Sequence, residues 1–136
     1  MTLKTASSSY VGNLRISSTH TPSGTVIETD APVDNHGKGT RFSPTDLMAT
    51  AYLNCMMTII GIYCDNHNLQ FEHCEGAVEK IMASNPRRIG QLNITLDLSN
   101  NGWDEKEKSK IEAAARACPV AQSAHPDMII NINFNY

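Results

Sequence analysis

The sequence has little charge. Lysine, arginine, aspartate and glutamate make up 18% of its 136 residues and nearly cancel, leaving a formal net charge of −3. No block of like charge occurs, and the basic pair Arg87-Arg88 is too small for a phosphate-binding patch. That excludes a dedicated nucleic-acid binder, which is normally basic. Hydrophobic residues at 40% exclude a disordered, self-repelling chain. Long apolar runs are also missing. The longest, Met56 to Tyr63, is interrupted by Thr58 and Gly61 and falls short of the ~18 residues of a bilayer span. The opening residues, MTLKTASSSY, lack the apolar stretch of a secretory leader. No repeat or low-complexity tract divides the chain. The expectation is a soluble, cytoplasmic protein, with no nucleic acid and no membrane as partner. It should form one domain over residues 1–136, since domains run to ~150 residues.

Paired cysteine motifs are absent too. The four cysteines, Cys55, Cys64, Cys74 and Cys118, include no Cys-x-x-Cys spacing. Without an export signal a reducing compartment is expected, which argues against two structural disulfides and leaves metal binding, catalysis or packing. Cys118 with His125 would be half a zinc site, but no second pair has ligand spacing. His73 and Cys74 are strand neighbours that point to opposite faces. His20, His36 and His67 fall in loops or at helix ends, where exposure is expected.

What is present is a change of period along the chain. Val11, Leu14 and Ile16 suggest a first short strand, and Thr25 to Thr29 a second after the turn-like Thr21-Pro22-Ser23-Gly24. Ala31 to Thr40 reads as a loop. Ser43-Pro44-Thr45-Asp46 then opens a helix: serine caps it, proline takes the first turn and the aspartate reaches back. Leu47, Met48, Ala51, Cys55, Ile59 and Ile62 form an apolar stripe at helical spacing, ending at Asn66-His67-Asn68. At about 100° per residue, Cys64 falls on the face opposite Cys55, where packing is its expected role.

Phe71 to Met82 reads as a strand, and Asn85-Pro86-Arg87-Arg88 as a turn. Leu92, Ile94, Leu96 and Leu98 alternate with polar residues, as in a strand with one wet face. Asp104 and Glu107 make a second capping box before a helix through Ile111, Ala114, Ala115 and Ala117. Cys118-Pro119 starts a short helix to about Ala124, and Met128 to Tyr136 is a last alternating strand. The order β-β-α-β-β-α-α-β, around one long apolar helix, is that of an α+β fold.

Two cysteines stand out. Cys55 lies mid-helix on the apolar stripe, a position where cysteine commonly serves as a small hydrophobe. Cys118 precedes Pro119, so it caps a helix, where unpaired N–H groups and the dipole are expected to lower a thiol pKa.

Taken together, Phe42-Ser43-Pro44-Thr45-Asp46-Leu47-Met48-Ala49-Thr50-Ala51-Tyr52-Leu53-Asn54-Cys55 resembles the long-helix motif of the OsmC/Ohr family, the osmotically inducible and organic hydroperoxide resistance proteins. Ala117-Cys118-Pro119-Val120-Ala121-Gln122-Ser123 is similar to its second-cysteine motif, 63 residues on. The resemblance covers nearly the whole chain. It implies an OsmC/Ohr-like fold, with antiparallel strands packed around a long central helix, in an intertwined homodimer. It further implies a thiol-dependent peroxidase that reduces organic hydroperoxides to alcohols. Cys55 would be the peroxidatic cysteine and Cys118 the resolving one, recycled by an external, lipoyl-type dithiol without metal or organic cofactor.

A thiol on an apolar face needs a cation to ionise. By the resemblance that cation is Arg15, with Arg41 second. Arg87, Arg88 and Arg116 are the remaining candidates. The organic hydroperoxide branch carries a glutamate at the helix start, where this chain has Thr45 followed by Asp46. Ten helical residues span about 15 Å, so no side chain there reaches Cys55 within its own helix. The alternative is a catalytically weak or inactive dimer of the same fold that binds an apolar small molecule at its interface.

Overall fold

The computed structural model describes residues 3–136. Contacts cluster in two compact units, Met1–Leu47 and Met48–Tyr136.

In the first unit, β1 (Ala6–Gly12), β2 (Arg15–His20) and β3 (Val26–Asp30) form an antiparallel sheet in that order. The single strand expected through Val11, Leu14 and Ile16 is two strands joined by a tight turn. Gly12, Asn13 and Leu14 all take positive φ, at 95°, 56° and 61°, a region glycine and asparagine tolerate best. The Leu14 N–H is held there by the Tyr10 hydroxyl at 3.2 Å. After β3 the loop contains one turn of 3-10 helix, Val33–Asn35.

The long helix α1 runs Pro44–Asn66. Its cap is the expected box: the Asp46 N–H donates to Ser43 Oγ at 3.0 Å, and the Ser43 N–H to the Asp46 carboxylate at 3.1 Å. By length and composition α1 could cross a membrane, which corrects the inference from its interrupted runs.

In the second unit, β4 (Glu75–Ala83) and β5 (Arg88–Asp97) form an antiparallel hairpin. The helices α2 (Glu105–Arg116) and α3 (Pro119–Ser123) follow, then β6 (Ile129–Asn135), which completes the sheet β4-β5-β6. The α+β class holds, with one pairing that is not antiparallel: β6 runs parallel to β5. The helical crossover returns the chain to the starting end of the sheet, as parallel neighbours require. Asp104 and Glu107 close the second capping box as expected.

The unit's core contains Tyr52, Leu53, Met56, Ile60 and Cys64 from α1, Leu92, Ile94 and Leu96 from β5, and Ile111, Ala115 and Cys118. The buried face of α1 is thus not the stripe expected from the sequence. Met48 and Ile62 are exposed at 45% and 50%, and Cys55 and Ile59 are half-buried. Thr50, Asn54, Thr58 and Asp65 mark one polar side of α1, but apolar residues spread over the rest of its circumference, so periodicity cannot choose which part is covered. Close approach of β4 does: a Cβ on Gly76 would fall 2.8 Å from Leu53 Cδ1. Cys64, opposite Cys55, is fully buried as packing.

The first strand of this unit begins at Glu75 rather than Phe71. The backbone N–H groups of Glu72 and His73 donate instead to the side chain of buried Asn101, at 2.9 and 3.1 Å. That side chain returns hydrogen bonds to the His73 and Leu98 carbonyls.

Candidate active site

Cys55 sits mid-way along α1, and Cys118 caps α3 from the crossover. In the second unit the two residues lie close enough for Cys55 to act on the ionisation of Cys118. Both are free. The Ala121 N–H donates to Cys118 Sγ at 3.4 Å, so the short helix directs its first turn at the sulfur. The expected lowering of the Cys118 pKa is nevertheless reversed. Burial pushes this thiol up, outweighing the Ala121 and Val120 N–H groups, and the neighbouring Cys55 raises it further. Cys118 is thereby favoured as a neutral thiol.

Tyr52, one turn before Cys55 on α1, is buried beside the pair. Its phenol is raised by burial and by both sulfurs, and lowered by Arg116. The Arg116 guanidinium lies 5.3 Å from the centre of the Phe134 ring. Sequence reasoning missed Tyr52, although its spacing of three from Cys55 was the available signal.

Arg15 belongs to the first unit and is no free surface side chain. Its Nε donates to Asp30 Oδ1 at 2.6 Å and its Nη2 to Asp30 Oδ2 at 2.9 Å. The Asp30 side chain is fully buried. Arg15 first, with help from Thr40, holds that carboxyl well below the usual carboxylate range, against the opposing effect of burial. Arg41 instead makes one exposed ion pair with Glu28 at 3.0 Å, the kind of contact that contributes little. Beside Asp30, a hollow of about 290 Å³ is lined by Tyr10, Leu14, Ile16, Pro32 and Pro44 among others.

A pH dependence follows from Asp30. Unfolded aspartate titrates near pH 4, whereas folded Asp30 stays ionised well below that. Its contribution to stability is therefore complete above about pH 4 and drains away as the pH falls further. Thermal melts of wild type should drop below pH 4, and those of Asp30→Asn should start lower at neutral pH and fall less steeply.

Among the described residues, no three His, Cys, Asp or Glu side chains cluster as metal ligands. His73 Nε2 lies 3.4 Å from Asp97 Oδ2.

The family model for OsmC-like protein matches residues 37–133, which carry both cysteines. The chain belongs to the OsmC-like protein family. A proposed osmotic stress induced and detoxification response protein from Psychrobacter arcticus 273-4 is similar at 40% identity, with a TM-score of 0.93 over 99% of this chain and 98% of that one. The organic hydroperoxide resistance protein OsmC of Legionella pneumophila shares the fold at 17% identity, with a TM-score of 0.73 over 96% and 95% of the two chains. The organic hydroperoxide resistance protein OhrB of Bacillus subtilis does so at 16%, with a TM-score of 0.65 over 96% of each. A comparison with curated proteins gives no match. The OsmC-like match spans parts of both compact units, including all of α1.

Proposed function

We propose that this OsmC-like protein is a thiol-dependent peroxidase that reduces organic hydroperoxides. The observation that supports the reading is the juxtaposition of Cys55, mid-way along α1, with Cys118 at the start of α3. The Cys55 thiolate attacks the terminal oxygen of a hydroperoxide. The O–O bond breaks, the departing alkoxide takes a proton and leaves as alcohol, and Cys55 becomes a sulfenic acid. The neutral Cys118 thiol then condenses with it, forming a disulfide and releasing water. An external dithiol of lipoyl type reduces the disulfide by exchange and is itself oxidised. The sulfur pair holds both electrons, so no metal or organic cofactor takes part. Arg15 is the proposed cation for the thiolate.

The proposed assembly is a homodimer. The face of α1 carrying Met48, Ala51 and Ile62 is exposed, and an apolar helix face favours a covering partner. The hollow beside Asp30 favours a second reading, an OsmC-like dimer that binds an apolar molecule without chemistry.

The deciding experiment is intact mass and peptide mapping after one equivalent of an organic hydroperoxide, with hydrogen peroxide in parallel. Loss of two hydrogens with a Cys55–Cys118 cross-link, faster with the organic peroxide, is the expected result. Four unreacted thiols would favour the binding protein.

A further inference from the structure

We infer that the hollow between the last turn of α1 and the first turns of α2 is a binding site for a small aromatic anion, a single ring carrying a carboxylate or a phosphate. The hollow lies wholly within the second unit and is independent of the peroxidase reading. Tyr63, His67 and Leu69 line it from the end of α1, and Lys106 and Lys110 line it from α2. Its volume is about 280 Å³, at the small end of the ~300–1,000 Å³ usual for ligand pockets, so it suits one ring rather than a large molecule.

Both walls are fixed by the fold. Asn68 takes a positive φ of 53° and turns the chain back at the end of α1. The Leu69 N–H then closes on the Cys64 carbonyl at 2.9 Å, the bond that ends a helix at a left-handed residue. Trp103 precedes the cap of α2, and its indole N–H donates to the Gln70 carbonyl at 2.7 Å. The start of α2 is thereby tied to the segment leaving α1. His67 is held at its edge and its face. Its Nδ1–H donates to the Tyr63 carbonyl at 2.8 Å, and the two rings stack with centroids 4.0 Å apart and planes inclined by 17°. This fixed aromatic pair, beside half-buried Leu69, is a surface on which a planar ring can lie. A ligand that meets preformed walls loses little affinity to ordering them.

The charge on the α2 wall suits an anion. Lys106 and Lys110 stand one turn apart, a spacing at which like charges disfavour a helix slightly. Among the described residues, neither has a carboxylate within ion-pair range. Lys108, which lies between them in sequence, is paired with Glu105 at 3.1 Å. The hollow also has two acids, Asp104 and Glu107, and both are engaged in the cap of α2. Asp104 Oδ1 accepts the Glu107 N–H at 2.7 Å, and Glu107 Oε2 accepts the Asp104 N–H at 3.1 Å. Their charges are balanced by the positive end of the helix dipole, which leaves the lysines without a counter-ion. In a chain of net charge −3, this pair is not the margin of a generally basic surface. Lysine presents a point charge rather than a planar fork, so it serves a carboxylate and a phosphate alike. The aromatic wall supplies the preference for a ring.

The test titrates the full-length protein, labelled with nitrogen-15, and follows its backbone amide resonances; the same spectra show whether each variant is folded. The probes are benzoate and phenyl phosphate, with benzyl alcohol and inorganic phosphate as the ring and the charge alone. The aryl anions should shift amides of residues 63–69 and 104–110 together, and each half-probe should bind ~5-fold more weakly or worse, the scale of one exposed charge contact. Lys106→Gln and Lys110→Gln should each weaken aryl-anion binding by ~3- to 5-fold on the same scale. Lys108→Gln removes an equal charge outside the hollow and should change nothing. His67→Ala should weaken the aryl anions and leave inorganic phosphate unaffected. Binding of only one aryl anion supports the site and identifies which acid group its ligand carries. The inference is overturned if neither aryl anion produces localised shifts at ~10 mM, enough to fill most of a millimolar site. Equal losses in Lys106→Gln and Lys108→Gln would also overturn it, since general charge would then account for the binding, as would inorganic phosphate binding as tightly as phenyl phosphate.

Discussion

Replacing Cys55 with serine is expected, on the proposed peroxidase reading, to abolish hydroperoxide reduction and leave the protein folded. A serine hydroxyl remains protonated at neutral pH and is a poor nucleophile toward the O–O bond, so the expected loss is ~10³-fold or more, to background. The stability change should stay within about 1 kcal/mol, because Cys55 is only half-buried and serine is close in size. Cys118→Ser should separate the two halves of the cycle. The first oxidation survives, and a sulfenic-acid trapping reagent should label Cys55, while steady-state turnover with a dithiol falls away. Steady-state assays and mass mapping of both variants check this. Persistent turnover by Cys55→Ser would remove the thiol from the mechanism.

The largest effect on stability is expected at a residue with no part in the chemistry. Asn101 is 3% exposed. Its amide oxygen accepts from the Glu72 and His73 N–H groups, and its Nδ2 donates to the His73 and Leu98 carbonyls. Asn101→Ala leaves two donors and two acceptors without this partner. At ~1–3 kcal/mol for each group left unsatisfied, partly offset by entering water, the net cost should be about 3 kcal/mol or more. Urea unfolding measures it. Asn101→Asp keeps the acceptor and loses the donors, so it should also be destabilised. A change under about 1 kcal/mol in the alanine variant would mean that the clamp is redundant.

Legibility in the sequence followed the range of the interaction. Both capping boxes, at Ser43/Asp46 and at Asp104/Glu107, were readable because every participant lies within three residues. The placement of Cys118 at a helix start was readable for the same reason, since Pro119 marks the first turn. The sign of its pKa shift was not, because burial is set by Tyr52, Ala115 and the rest of a core assembled from distant segments. The covered face of α1 was hidden because its apolar residues spread well beyond the width of one face. The Gly12-Asn13-Leu14 turn was hidden by apolar residues at Val11 and Ile16 that mimic one strand. The hydrogen bonds joining Arg15, Asp30 and Thr40 depend on strand register and on a loop that folds back, neither of which spacing reveals. Family resemblance supplied Arg15 as a candidate; only the fold supplied its carboxylate.

The parallel pairing of β5 with β6 bears on how the molecule is made. The β4–β5 hairpin closes through near neighbours and can form early, within microseconds of its residues being available. The third strand has no such route: Ile129–Asn135 can add to Gln91–Asp97 only after some thirty intervening residues have been synthesised and wound into the crossover. Cys118 lies on that crossover, so on a translating ribosome Cys55 emerges well before its partner thiol exists. During that interval Cys55 is a thiol on an apolar segment without the core that later half-buries it. Translation of residues 56–118 therefore sets how long Cys55 waits for Cys118.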